Sequence, residues 1–189
     1  MSPDKKPVAY FDMDGTLADY EGALVRDLDN LKSPEEPKLG SIYREDLPFY
    51  IKERAKLIKS AGSWWENLSR FQLGWDILGE AKNLNFRIVI LTQGPRNNAE
   101  AWSHKLKWCD KHLPDIEVCI TRDKGLHYGR VLVDDYPEYI TRWLEYRPRG
   151  VVIMPAHDYN EDFKHKNVVR YDGFNLSKVR AALSAAYNR

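Results

Sequence analysis

Val8-Ala9-Tyr10-Phe11-Asp12-Met13-Asp14-Gly15-Thr16-Leu17-Ala18 joins a short β-rich apolar run to two carboxylates, a glycine and a threonine. The run lacks polar/apolar alternation, as expected of a strand covered on both faces in a parallel sheet. On extended backbone Asp12 and Asp14 project to the same side while Met13 points away. Gly15 then permits a sharp exit from the strand. Further runs of this kind lie at Phe86–Leu91, Ile116–Ile120, Val131–Val133 and Val151–Met154.

Helical spacing fills the intervals. Ala99, Trp102, Leu106, Cys109 and Leu113 step by three and four, as do Leu68, Phe71, Trp75 and Leu78. Tyr136, Ile140 and Trp143 repeat the pattern, and Leu176, Val179, Leu183 and Ala186 mark a terminal amphipathic helix. Strands alternating with helices predict an open, doubly wound α/β fold. The interval from Asp19 to Leu84 is too long for one crossover and holds at least three helical stretches, broken at Ser33–Pro37 and Ala61–Ser63. The expected organisation is therefore a Rossmann-like core of residues 1–18 and 85–189, with helices flanking a parallel sheet. Residues 19–84 are read as a small helical cap inserted after the first strand.

With 189 residues, 43% of them hydrophobic, the chain can bury a core without disulfide or metal staples. Lys plus Arg is 29 against 28 for Asp plus Glu, so no basic excess points to a stable nucleic-acid partner. Cys109 and Cys119 have no zinc spacing and form no disulfide framework. The start, Met-Ser-Pro-Asp-Lys-Lys-Pro, leads into an apolar stretch too short for a signal-peptide core, and the longest apolar stretches are strand-sized. A cytoplasmic protein with no membrane partner is expected.

The residues at the strand ends carry the chemistry. The first strand ends in Asp12-Met13-Asp14-Gly15-Thr16, the second in Thr92-Gln93-Gly94, and the fourth in Asp134-Asp135. The third runs on into Thr121-Arg122-Asp123-Lys124. Parallel α/β sheets bind ligands at the carboxyl ends of their strands, so aspartates, a threonine hydroxyl and a lysine should converge on one edge. Crowded carboxylates need a cation, and hard oxygen donors with no His or Cys beside them suit Mg²⁺. Such a cation could also hold a phosphate oxygen, with Lys124 and Thr92 as further donors. Taken alone, D-x-D-G is also common in turns and calcium loops, and Asp-Asp before Tyr-Pro also reads as a helix cap.

These residues, Asp12–Ala18, Thr92, Lys124 and Asp134-Asp135, resemble the four signature motifs of the haloacid dehalogenase (HAD) superfamily of phosphohydrolases. The resemblance runs from Val8 to about Asn160. It narrows to the 5′(3′)-deoxyribonucleotidases through Asp12–Tyr20 (DMDGTLADY), Ala101-Trp102, Thr121–Lys124 and Val131–Asp135 (VLVDD). It implies Asp12 as nucleophile, forming an aspartyl-phosphate, and Asp14 as general acid and then base. Mg²⁺ would be held by the Asp12 carboxylate, the Asp14 backbone carbonyl and the Asp134 carboxylate, with Asp135 and Thr16 in support. Thr92, Gln93 and Lys124 would bind the phosphoryl group. Tyr20, Tyr43, Trp64 and Trp65 would meet the base of a nucleotide substrate, and Ile42 sits near them. The resemblance also implies a 5′-nucleotidase type of phosphomonoester hydrolase, and pairing as homodimers.

Two departures from that pattern stand out. Gln93 replaces a small hydroxyl, with Gly94 reading as an insertion, and Tyr136-Pro137-Glu138 replaces a basic residue and proline. Two alternatives stay open. One is a HAD phosphatase for another small phosphate ester or a nucleic-acid 3′-phosphate, and the other a non-catalytic nucleotide-binding protein of the same fold. Lys105, the competing lysine, reads as part of a solvated helix face, Trp75 as core and His157 as a structural loop residue. Lys164-His165-Lys166 reads as a solvated loop, and Arg122 either serves phosphate or pairs with Asp123.

Overall fold

Six strands form one wholly parallel sheet in the order β3-β2-β1-β4-β5-β6 in the computed structural model, which describes residues 6–189. The polar start Met1–Lys5 lies outside the described residues. The strands are β1 (Val8–Phe11), β2 (Arg87–Thr92), β3 (Glu117–Ile120), β4 (Val131–Val133), β5 (Val151–Pro155) and β6 (Val168–Tyr171). The helices are α1 (Tyr20–Asn30), α2 (Phe49–Ser60), α3 (Gly62–Glu66), α4 (Gln72–Asn83), α5 (Ala99–His112), α6 (Pro137–Glu145) and α7 (Leu176–Tyr187). Among the described residues no helix is long and apolar enough to cross a membrane.

The sheet is buried on both faces, which is why its strands read as unbroken apolar runs. Leu91, Leu132, Val152 and Met154 pack with Ile140, Trp143 and Leu144 of α6. Their neighbours Ile90, Val133 and Ile153 are also wholly buried. Helices α4 and α7 pack on one another and against β2, β5 and β6. Arg180 of α7 clamps the carboxylate of Glu80 on α4 through two hydrogen bonds of 2.7 and 2.8 Å. That guanidinium holds the Glu80 carboxyl below the usual carboxylate range.

Strand β6 is missing from the sequence reading because Arg170 interrupts its apolar run. The arginine has a tertiary use: it donates to Asn160 Oδ1 at 3.1 Å and to the His157 carbonyl at 2.9 Å.

The chain divides into two compact units. One holds the described residues up to Leu17 together with Arg70–Gln93 and Ile116–Arg189, and the other holds Ala18–Ser69 and Gly94–Asp115. This division differs from the sequence reading at two helices, since α4 belongs to the sheet's unit and α5 packs with α3 in the smaller one.

Helix α5 is also turned from the expected face. Lys105 is only 1% exposed, whereas Leu106, placed on the apolar stripe by its spacing, is 42% exposed. Trp108 decides the rotation: its ring is fully buried and its indole N–H donates to the Leu68 carbonyl at 2.8 Å. A buried Trp outweighs a Leu in apolar area. Lys105, three residues earlier on the same face, places its ammonium 4.9 Å from the Trp65 ring centroid.

Candidate active site

Strands β1 and β4 are neighbours, but the chain visits β2 and β3 on one side before it starts β4 on the other. This is a topological switch point, where a crevice opens at the strands' carboxyl ends. The ladder extends one residue beyond β1, with the Asp12 N–H bonded to the Val133 carbonyl at 2.9 Å. Asp12 and Asp134 therefore leave adjacent strands side by side. Lys124 enters from a single helical turn, Lys124–Leu126, whose start is capped by Asp123 accepting the Gly125 N–H at 2.8 Å.

The Lys124 ammonium lies between the two carboxylates, 2.8 Å from Asp12 Oδ1 and 2.6 Å from Asp134 Oδ2. All three side chains are buried. Burial pulls the lysine's pKa down, but the charges of Asp12 and Asp134 win and raise it well above the ordinary value. It stays a cation at neutral pH. Its Nζ also sits 4.7 Å from the Tyr139 ring centroid, and the second Asp134 oxygen accepts the Tyr136 N–H at 3.0 Å.

Asp135 is held differently. One of its oxygens accepts from the Thr16 hydroxyl at 2.7 Å and the other from the Tyr159 hydroxyl. Its backbone carbonyl accepts from Asn160 Nδ2 at 2.9 Å. The Asn160 amide is fully occupied, since Nδ2 also reaches the Pro155 carbonyl and Oδ1 receives His157 N–H and Arg170 Nε. The His157 ring lies between Phe71 and Tyr159, stacked on each at centroid distances of 4.6 and 4.8 Å. Its Nε2 is 2.6 Å from the Gly15 carbonyl, so that nitrogen carries the proton.

Gly15 has φ +71°, and a Cβ there would run into the Asp135 carboxyl. Gly15→Ala is expected to cost about 2 kcal/mol through left-handed strain and displacement of Asp135. Urea unfolding measures it, and a cost under about 0.5 kcal/mol would show that the loop accommodates a side chain. The same loop is fixed from α4. Phe71 N–H and the Trp75 indole both donate to the Leu17 carbonyl, at 2.9 and 3.0 Å. A Cβ at Gly74 would collide with the Thr16 carbonyl, so glycine is what lets the helix approach.

Asp12, Asp134 and Asp135 each offer a buried carboxylate oxygen, all within 4.8 Å of one another. Burial pushes the Asp134 and Asp135 carboxyls upward, and the nearby like charge of Asp12 adds to it. An all-oxygen, acidic, buried donor set fits a hard divalent cation. Asp134 and Asp135 each have both oxygens engaged, Asp134 by Lys124 and the Tyr136 N–H and Asp135 by two hydroxyls, so a cation here would share these oxygens with the donors already on them.

Of the residues singled out in the sequence, Asp12, Thr16, Lys124, Asp134 and Asp135 converge. Asp14 is half-buried, Thr92 is buried at the end of β2, and Gln93 is half-buried beside it. Tyr20, Trp64 and Trp65 lie together in the smaller unit. Tyr20 stacks on Trp65 at 5.7 Å and meets Trp64 edge-on at 5.6 Å. Lys59 donates to the Tyr20 hydroxyl at 3.1 Å, and the Trp64 indole to Asp27 at 2.7 Å. Tyr43 is exposed on the loop before α2, next to Ser41 and Ile42, which donate to the Glu21 carboxylate of α1. In that unit too, Gly94 is explained by Trp102, whose ring occupies the space a Cβ would take.

His157 is more than a loop residue, and Tyr159, Asn160 and Tyr139 were not foreseen. The signal for the first three was available, because Pro155–Asn160 leaves the end of a strand as the other motifs do. Asp123 pairs with Arg142 at 2.8 Å, while Arg122 is exposed. Lys164, His165 and Lys166 are exposed as expected.

The sheet order and this edge define the fold of HAD-like hydrolases, and solved structures agree. A HAD family hydrolase from Deinococcus radiodurans, crystallised with phosphate and sodium, has a TM-score of 0.57 at 13% identity, covering 96% of each chain. A haloacid dehalogenase-like hydrolase from Burkholderia xenovorans gives 0.56 at 13% identity, covering 98% of this chain and all of the other.

The profile of the family described as 5′ nucleotidase, deoxy (Pyrimidine), cytosolic type C protein matches residues 6–174, and the chain belongs to that family. Human cytosolic-type 5′(3′)-deoxyribonucleotidase is 28% identical over 137 residues, 66% of this chain and 68% of the relative. A Vibrio phage KVP40 protein, provisionally named a 5′(3′)-deoxyribonucleotidase, is 26% identical over 133 residues, 69% of this chain. That match spans 66% of the phage protein, just under two thirds of its length.

Proposed function

We propose that this chain is a Mg²⁺-dependent phosphomonoester hydrolase of deoxyribonucleoside 5′(3′)-monophosphates, working through an aspartyl-phosphate. The observation that carries this reading is the buried ammonium of Lys124 bracketed by Asp12 and Asp134 at a switch point. A carboxylate attacks a phosphate dianion only where fixed positive charge offsets the repulsion.

In this reading an Asp12 carboxylate oxygen attacks phosphorus and the ester P–O bond breaks. Asp14 gives its proton to the leaving alkoxide. Asp14 then takes a proton from water as that water attacks the aspartyl-phosphate, which releases inorganic phosphate and restores Asp12. Lys124 stabilises charge on the phosphoryl oxygens, and Thr92 and Gln93 donate to them. Mg²⁺, held by the Asp12 and Asp134 carboxylates and the Asp14 carbonyl, would offset the charge of nucleophile and phosphoryl group. His157 and Tyr159 act as positioning residues, fixing the Gly15 carbonyl and Asp135. Tyr20, Tyr43, Trp64 and Trp65 are assigned to the base, since stacking on aromatic rings serves any base.

Phosphate release from deoxy- and ribonucleoside 5′- and 3′-monophosphates, sugar phosphates and a 3′-phosphorylated oligonucleotide, with and without Mg²⁺, tests the reading. Metal-dependent turnover of the deoxynucleotides is expected. Turnover confined to sugar phosphates or the oligonucleotide would keep the chemistry and overturn the substrate. Nucleotide binding without any turnover would make the chain a binding protein.

A further inference from the structure

The opposite end of the sheet carries a second concentration of charge. At the amino ends of β4 and β5 the segments Tyr128–Arg130 and Tyr146–Gly150, with Arg189, line a groove of about 620 Å³. An adjoining hollow of about 440 Å³ shares Pro148, Arg149, Gly150 and Arg189 with it and adds Lys166. Strands of this length separate the groove from the carboxyl-end site by roughly 10–15 Å, so the two are distinct.

Arg130, Arg147, Arg149, Lys166 and Arg189 line these hollows, and no acidic side chain does. In a chain with 29 basic and 28 acidic residues, five cationic side chains gathered without an acidic side chain are a local excess. Their hydrogen bonds go to carbonyls instead. Arg130 donates to the Ala186 and Tyr187 carbonyls at 3.2 and 2.6 Å, Arg147 to the Gly125 carbonyl at 2.7 Å, and Arg189 to the Arg149 carbonyl at 2.5 Å. None of the five forms a salt bridge among the described residues.

Arg147 carries the argument furthest. It is buried, and its Nε has no hydrogen-bond partner among the described residues. Its guanidinium lies 5.6 Å from the Tyr128 ring centroid and 5.5 Å from that of Trp143. A buried guanidinium with aromatic neighbours and no counter-ion is costly unless an anion completes it. Arginine forks match phosphate oxygens in geometry as well as charge. At the rim Tyr128 and Tyr146 are 79% and 56% exposed, large apolar faces beside the cations. Arginines beside exposed aromatic rings, in a groove of ligand size, suit a molecule with several phosphates and one planar ring.

We propose that this groove is a second ligand site, taking a nucleoside di- or triphosphate with its phosphates on Arg130, Arg147, Arg149 and Arg189 and its base against Tyr128. The assignment does not depend on the reaction at the other end of the sheet.

Equilibrium binding of ATP to the full chain in EDTA, at about 0.1 M salt, tests it against the Arg149→Glu/Arg189→Glu double variant. Both side chains are exposed, and thermal unfolding checks that the variant folds. The expected result is ATP binding by the wild type, weakened at least about tenfold in the double variant, with nucleoside monophosphate turnover unchanged. Tyr128→Ala should weaken ATP about fivefold or more and leave tripolyphosphate binding as it was. Adenosine alone should not bind. No ATP binding by the wild type, or binding indifferent to the double variant, overturns the site. Tripolyphosphate binding as tightly as ATP overturns the base contact. Tighter binding of a single-stranded oligonucleotide would make the groove a nucleic-acid surface and overturn the nucleotide assignment.

Discussion

Asp12→Asn is expected to lower kcat on the best nucleoside monophosphate by about 10⁴-fold or more, with KM little changed. The amide keeps the shape of the carboxylate, but its oxygen is a poor nucleophile and cannot form the aspartyl-phosphate. Its place in the fold is secure, because the residue's N–H is tied to the Val133 carbonyl whatever the side chain. The substitution removes the negative charge 2.8 Å from the Lys124 ammonium and also one of three crowded carboxylates. These effects oppose, so stability should move by less than about 1 kcal/mol. Rapid-quench trapping of a phosphorylated protein checks the same assignment directly. The wild type should accumulate label and the variant none. A variant turning over within tenfold of wild type would remove Asp12 from the nucleophile's place.

Lys124→Met combines the largest stability effect with a catalytic one. Methionine retains the buried apolar stem but leaves the Asp12 and Asp134 carboxylates facing each other without their shared cation. Breaking a buried pair by removing one partner costs about 3–5 kcal/mol, and urea unfolding in EDTA should show a loss near the lower figure. Added Mg²⁺ should restore part of that loss, since a cation on the same oxygens supplies the missing charge. Turnover should fall by about 10²–10³-fold even with Mg²⁺ present, because phosphoryl charge in the transition state loses a fixed donor. A loss in EDTA below about 1 kcal/mol would show that the carboxylates relax by protonation or solvent entry, so the buried bracket would not carry the argument placed on it.

Much of this arrangement was legible because the sheet is covered on both faces. Apolar runs at Val8–Phe11 and Val131–Val133 coincide with β1 and β4 to the residue, those assigned to β3 and β5 differ by one residue at one end, and that assigned to β2 is displaced by one residue at both ends. Local sequence failed where a residue's role depends on a distant partner. Arg170 hid β6 because its use is to bond Asn160 and the His157 carbonyl. Lys105 and Leu106 exchanged faces because Trp108, with its bond to the Leu68 carbonyl, sets the rotation of α5. His157 read as a loop residue because the carbonyl it holds belongs to Gly15, 142 positions away in sequence.

The sequence by itself determined the alternation of strands and helices, the carboxylates, threonine and lysine at the strand ends, and the family those motifs resemble. Spacing along extended backbone and apolar periodicity are local properties, and they survive without a partner in view. Only the tertiary structure decided which of those residues meet. It put β1 beside β4, set Lys124 between Asp12 and Asp134, and assigned Asp135 to the hydroxyls of Thr16 and Tyr159. It also gathered Arg130, Arg147, Arg149 and Arg189 at the far end of the sheet. The physical reason is the same in each case: charge acts through distance in space, and folding sets that distance independently of separation along the chain.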